Sequence, residues 1–165
     1  MALLKIAGTV DDSIVDGEGY RFTIFTQGCP HNCEGCHNPH THAGDGGKSV
    51  DTEDLYREIR QNPLLSGVTF SGGEPFLQPK PLAQLAKQLR NCGLDITTYT
   101  GYTYEELIAK KSADIDALLA VTDVLIDGKF ILAQRDLTLQ FRGSRNQRRI
   151  DMAATRAAGK VIEKE

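Results

Sequence analysis

Three cysteines, Cys29, Cys33 and Cys36, stand in the segment GCPHNCEGCHNPH with the spacing C-x3-C-x2-C, and all four histidines of the chain, His31, His37, His40 and His42, fall in the same stretch. Thiolates are soft ligands for zinc and for iron–sulfur clusters, so three of them this close together point to a metal rather than to three unrelated core thiols. Two chemistries fit. A Cys3His tetrahedral zinc site would be closed by one of the histidines. Thiolate-only ligation favours an iron–sulfur cluster instead; on a four-iron cubane, three cysteines leave one iron with an open coordination position that a substrate can fill.

Further along the chain, Ser71 to Pro75 reads SGGEP. Gly72 and Gly73 let backbone come close to a ligand, and the Glu74 carboxylate is an acceptor suited to an ammonium group. Thr98 to Leu107 (TYTGYTYEEL) and Asp127 to Phe130 (DGKF) are two more polar, glycine-bearing segments. Asp127 and Lys129 alternate along an extended segment and so face the same way, toward a ligand or toward each other. The fourth cysteine, Cys92, in Asn-Cys-Gly, is expected to be a small buried residue.

Strands are what must position these segments. Tyr20 to Thr26 alternates apolar and polar residues and runs straight into the cysteine loop; Gly67 to Ser71, Leu94 to Tyr99 and Val124 to Asp127 are the next strands. Helices fall between them. Asp51 caps a helix that ends before Pro63, Pro79 to Asn91 carries Leu82, Leu85, Ala86 and Leu89 on one face, and Thr103 with Glu106 forms a capping box for a helix through about Lys110. Ile115 to Ala120 and Met152 to Ala158 are further helical stretches, with an extended Leu137 to Phe141 and a last strand at Val161. Strands separated by helices pair in parallel through right-handed crossovers. The fold class is therefore α/β, a mostly parallel sheet forming an open, partial (β/α) barrel, and the loops leaving the four strands lie on one rim, where ligands bind.

At 165 residues, 40% hydrophobic and 25% charged, the chain is expected to be one globular domain over 1–165. No apolar run approaches the roughly 18 residues of a membrane span. The first residues turn polar too early for a signal peptide, which points to the cytoplasm. A net charge of −3 excludes a generally basic nucleic-acid binder. Charge is uneven, however: Arg135, Arg142, Arg145, Arg148, Arg149, Arg156 and Lys160 outweigh Asp136 and Asp151 by five. That segment is either a solvated face, with ion pairs to Asp136 and Asp151, or a docking surface for an acidic protein.

The cysteine spacing after the first α/β strand resembles the radical S-adenosylmethionine (SAM) superfamily. The resemblance implies a [4Fe-4S] cluster on Cys29, Cys33 and Cys36, with SAM chelating the open iron. It also implies SAM contacts from Gly35, Cys36 and His37, from Gly72, Gly73 and Glu74, which would hold the amino group, and from Asp127 and Lys129. Gly35 stands where an aromatic residue is common, and His37 is its possible substitute. Across DGEGYRFTIFTQGCPHNCEGCHNP, SGGEPF, YTGYTYEEL and VLIDGKFILAQRDLTLQFRGSRNQRRIDM the likeness narrows to the glycyl-radical-enzyme activating branch, and within it to the activators of anaerobic ribonucleoside-triphosphate reductase. Such a protein splits SAM to make a glycyl radical on its partner, with an electron from a reduced flavodoxin- or ferredoxin-type donor. Activation of pyruvate formate-lyase is the neighbouring reading, and the zinc-bound interaction module is the reading from another class.

Overall fold

The computed structural model describes residues 2–31, 33–36, 39–41, 43 and 46–164. In chain order the elements are β1 (Leu3–Ser13), β2 (Arg21–Thr26), β3 (Lys48–Asp51), α1 (Thr52–Arg60), β4 (Gly67–Gly72), α2 (Pro79–Asn91) and β5 (Asp95–Tyr99). They continue with α3 (Tyr104–Ala109), α4 (Ala113–Ala120), β6 (Val124–Asp127), β7 (Arg148–Asp151) and α5 (Met152–Ala158). The seven strands form one open sheet in the order β3-β1-β2-β4-β5-β6-β7. Its centre, β2-β4-β5-β6, is parallel. The outer strands β1, β3 and β7 all pair antiparallel.

Period-two alternation sorts the side chains of the sheet. Phe22 and Ile24 of β2, Val68 and Phe70 of β4, Ile96 of β5, Leu125 of β6 and Ile150 of β7 face the helices, where they meet Leu82, Leu85 and Leu89 of α2 and Leu118 of α4 in one buried core. The alternate residues of these strands, among them Arg21, Thr23, Thr69 and Thr97, are polar but equally buried, on the concave side. Phe70 is fully buried at the centre of this packing. Phe70→Ala is expected to cost about 3–5 kcal/mol of stability, measured by denaturant unfolding, through lost burial and the cavity left behind.

The central strands and the helices between them lie where the sequence pattern puts them. Asp51 caps α1, its carboxylate accepting from the Glu53 amide at 2.9 Å, and the Thr103–Glu106 capping box is complete. The structure adds three strands to those of the sequence pattern, β1, β3 and β7. β1 carries a legible signal in the alternation of buried Leu4 and Ile6, whereas β3 and β7 are four residues each and too short to show a period. The expected extended segments differ too. Residues 137–141 form no strand, and the chain near Val161 makes only an isolated bridge, Ile150 to Glu163. Cys92 is exposed rather than buried, its sulfur 2.6 Å from the Arg60 guanidinium, because it caps α2 after the apolar face has ended. Among the described residues no helix is long and apolar enough to cross a membrane.

Candidate metal and cofactor site

Four parallel strands bring four C-terminal ends to one rim, and the loops that leave them enclose a cavity of about 810 Å³. Cys29, Cys33 and Cys36 line it from the β2 loop, Gly72 and Gly73 from the end of β4, and Gly101 from the end of β5, with Gly128 beyond β6 on the same wall. Segments separated by up to about a hundred residues thus share one concave surface, the usual ligand position in parallel α/β sheets.

Backbone hydrogen bonds sew the first two loops together. The Gly73 amide donates to the Thr26 carbonyl at 2.9 Å, and the Glu74 amide donates to the Gly28 carbonyl at 2.7 Å. The turn after β4 therefore lies directly against the start of the cysteine loop. A Cβ on Gly73 would stand 2.2 Å from the Gly28 carbonyl oxygen, and one on Gly72, at φ +93°, would stand 2.5 Å from the Thr26 nitrogen. Both neighbours are backbone and cannot yield like a flexible side chain. Gly73→Ala is expected to cost about 1–3 kcal/mol through this overlap and to push the two loops apart, with a lowered melting temperature and poorer iron loading as the measurements.

The donors suit an iron–sulfur cluster. The Cys36 amide donates to the Cys33 carbonyl at 3.2 Å, closing a turn through Glu34 and Gly35 that presents successive thiols to the cavity. Among the described residues no three candidate ligands are gathered around a single ion position. A cluster does not require that, because each thiolate takes a different iron. Burial raises the Cys29 and Cys33 thiols above the usual cysteine range, and the charges of Glu74 and of the neighbouring cysteines push in the same direction. Without iron these thiols hold their protons; ligation must displace them. In the metal-free protein, Cys29 and Cys33 should alkylate more slowly than a free cysteine peptide at the same pH. Their rates should reach half-maximum at a higher pH, because a raised thiol pKa leaves less thiolate, as mass spectrometry of iodoacetamide adducts would read.

Gly35, at φ +73°, has its would-be Cβ within 3.0 Å of Leu132 and 3.3 Å of Phe130, so a larger residue there would meet the loop after β6. His37 lies outside the described residues. Glu74 is fully buried and is not on the cavity wall, and its carboxylate accepts from His31 and from the Gly101 amide. Asp127 also differs from the expectation of a ligand contact. Alternation along β6 places it with Leu125 on the helix-covered face, where it accepts from the Tyr104 amide at 2.8 Å and pairs with Arg148 at 2.6 Å. Lys129 lies outside the cavity wall, near enough to Cys33 for its charge to oppose the rise in that thiol.

β7 also decides the basic segment. Its antiparallel register sets Arg148 opposite Asp127, and the same guanidinium pairs with Glu105. Arg149 is buried, pairs with Glu18 and lies over the Phe141 ring at 5.0 Å. Arg156 donates to the Leu119 and Thr122 carbonyls. These arginines hold the fold together through partners other than Asp136 and Asp151, and Arg148 and Arg149 are not free charges on a docking face. His31 stands in the cysteine loop as a candidate metal ligand, and Thr100 and Gly101 stand in the TYTGYTYEEL segment, but nothing local announces that all three meet Glu74.

Several known proteins are similar to this chain. A family model described as a 4Fe-4S single cluster domain matches residues 15–150. The anaerobic ribonucleoside-triphosphate reductase-activating protein of Haemophilus influenzae is 37% identical over 145 residues, covering 81% of this chain and 89% of that protein. The pyruvate formate-lyase-activating enzyme of Clostridium pasteurianum is 36% identical over 137 residues, covering 78% of this chain but 56% of that enzyme. A crystal structure of QueE from Escherichia coli overlays on 61% of this chain and 54% of that one, with a TM-score of 0.49 and 22% identity. With a relative this similar aligned along most of both chains, and a cluster-domain model spanning the cysteine loop and all four central strands, the chain belongs to the family of anaerobic ribonucleoside-triphosphate reductase-activating proteins.

Proposed function

We propose that this chain is a radical SAM oxidoreductase, one domain over 1–165, that activates anaerobic ribonucleoside-triphosphate reductase in the cytoplasm. When bound, the [4Fe-4S] cluster supplies an electron that splits SAM into methionine and a 5′-deoxyadenosyl radical, which takes a hydrogen atom from a glycine of the reductase and leaves a glycyl radical. The electron comes from a reduced flavodoxin- or ferredoxin-type donor. Nucleic acid and membrane have no part in the reading.

One observation carries it: the three thiols and the Gly72–Gly73 backbone, from different strands, line the same cavity. Cys29, Cys33 and Cys36 hold the cluster irons as thiolates. Gly72 and Gly73 offer backbone to the SAM amino group, and the Gly35–Cys36 turn borders the adenosine. The substrate in this reading is a protein loop rather than a small molecule. Relatives named for the reductase are covered almost end to end, whereas little over half of the pyruvate formate-lyase activase is covered, which favours the reductase as target.

The test is anaerobic reconstitution with iron and sulfide, followed by reductant and SAM. Broad absorption near about 400 nm marks the cluster, and 5′-deoxyadenosine should form and a glycyl radical signal appear when the reductase is added. Radical on pyruvate formate-lyase but not on the reductase would move the target. A colourless protein holding one tight zinc and making no 5′-deoxyadenosine would replace the reading with the zinc module.

A further inference from the structure

The Glu74 carboxylate sits at the meeting point of three strand ends, with no solvent exposure. Its Oε1 accepts from His31 Nε2 at 2.6 Å, from the Thr100 hydroxyl at 2.9 Å and from the Gly101 amide at 2.8 Å. Its Oε2 accepts from the Phe76 amide at 3.0 Å and shares the Thr100 hydroxyl at 2.8 Å. The donors come from the cysteine loop after β2, the turn after β4 and the loop after β5. A buried carboxylate needs such a set, because an unpaired charge there would be very costly. With both oxygens filled, no lone pair is left facing the cavity.

His31 is held as firmly as the carboxylate that receives it. Its side chain is 5% exposed, and its ring meets the Tyr102 ring edge-on with centroids 4.6 Å apart. On the other side a Cβ at Gly101 would stand 2.3 Å from the imidazole, so the slot exists only because residue 101 is glycine. Carboxylate, glycine wall and aromatic edge together form a socket for this one ring. His31 lies between Cys29 and Cys33, so whatever fixes the ring fixes the stretch of loop that carries both thiols.

We infer that Glu74 is a positioning residue: through His31 it pins the cysteine loop to the ends of β4 and β5, setting where Cys29 and Cys33 stand relative to the Gly72–Gly73 backbone, and it does not itself bind SAM. Charge-assisted hydrogen bonds of this kind are short and strong, and one carboxylate that gathers three loops couples their positions. The consequence for the cluster rests on the function proposed above; the anchoring of the loop does not.

Three variants decide it. His31→Phe keeps the ring volume and removes the bond, Glu74→Gln removes the charge, and Gly101→Ala evicts the ring while leaving the carboxylate intact. In the metal-free protein, Cys29 should alkylate several-fold faster in all three than in the parent. In reconstituted protein, iron release to a chelator should quicken about tenfold in His31→Phe and in Glu74→Gln, as expected for loss of one charge-assisted bond, and the double variant should be no faster than either single. Should Glu74→Gln fail to fold, His31→Phe and Gly101→Ala carry the same two readouts. Unchanged alkylation and iron release in those two would overturn the anchor. Weakened SAM binding in Glu74→Gln with normal iron retention would overturn it as well and return the carboxylate to the ligand. If the parent takes up no cluster, the proposed function fails while the alkylation arm still decides whether the loop is pinned.

Discussion

Cys29→Ala, Cys33→Ala and Cys36→Ala should each abolish SAM cleavage, with residual 5′-deoxyadenosine at least about 100-fold below the parent, since loss of a mere outer-shell partner at a metal site already costs about 10- to 100-fold. On the proposed ligation each substitution would take a thiolate away from one iron, and among the described residues the fourth thiol, Cys92, is not on the cavity wall to replace it. Cys92 caps α2 and is not on the cavity wall. Cys92→Ala should therefore leave cleavage intact and shift stability by no more than about 0.5 kcal/mol, as exposed substitutions usually do. Iron content, absorption and 5′-deoxyadenosine measured on the four variants check the assignment. A Cys33→Ala protein with a full four-iron cluster and normal cleavage would remove that residue from the ligand set.

The second large effect is at Arg148. Asp127 is 1% exposed, and its counter-charge is this guanidinium, held at 2.6 Å with a second contact at 3.1 Å. The bonds to Asp127 and Glu105 raise the guanidinium further above its already high range, and the same bond holds the Glu105 carboxyl below the usual carboxylate range. Among the described residues, Arg148→Ala leaves the buried carboxylate with only the Tyr104 amide, and is expected to cost about 3–5 kcal/mol, the usual penalty for breaking a buried pair from one side. Arg148→Ala combined with Asp127→Asn should recover a large part of that loss, because no uncompensated charge then remains. Denaturant unfolding of the parent, both single variants and the double variant measures the coupling directly. Equal stability of Arg148→Ala and the parent would show that the pair contributes nothing.

The parts of the rim differ in how plainly the chain announces them. The cysteine loop, the Gly-Gly-Glu turn and the four central strands are legible from residue type and spacing alone. Thiol chemistry is written in three residues, a buried strand in four or five, and a capped helix in the pattern of its first turn, as at Thr103 and Glu106. Local signals of that sort survive folding because they depend on neighbours a few residues away.

What the tertiary structure alone decided is which face and which partner each side chain receives. Asp127 and Lys129 look like a pair on one side of an extended segment, yet the pairing of β6 turns Asp127 into the helix face, and β7, a four-residue strand without a readable period, sets Arg148, 21 residues later, against it. Glu74 looks like an open acceptor beside two glycines, yet its donors come from His31, 43 residues earlier, and from Thr100 and Gly101, 26 and 27 residues later. Sequence determined that a metal site exists and where on the sheet it lies, because ligand type and strand order are local properties. Which buried charges serve the ligand and which serve the scaffold was left to the fold, because a buried charge must be neutralised by whatever the topology brings beside it, and no spacing rule encodes that neighbour.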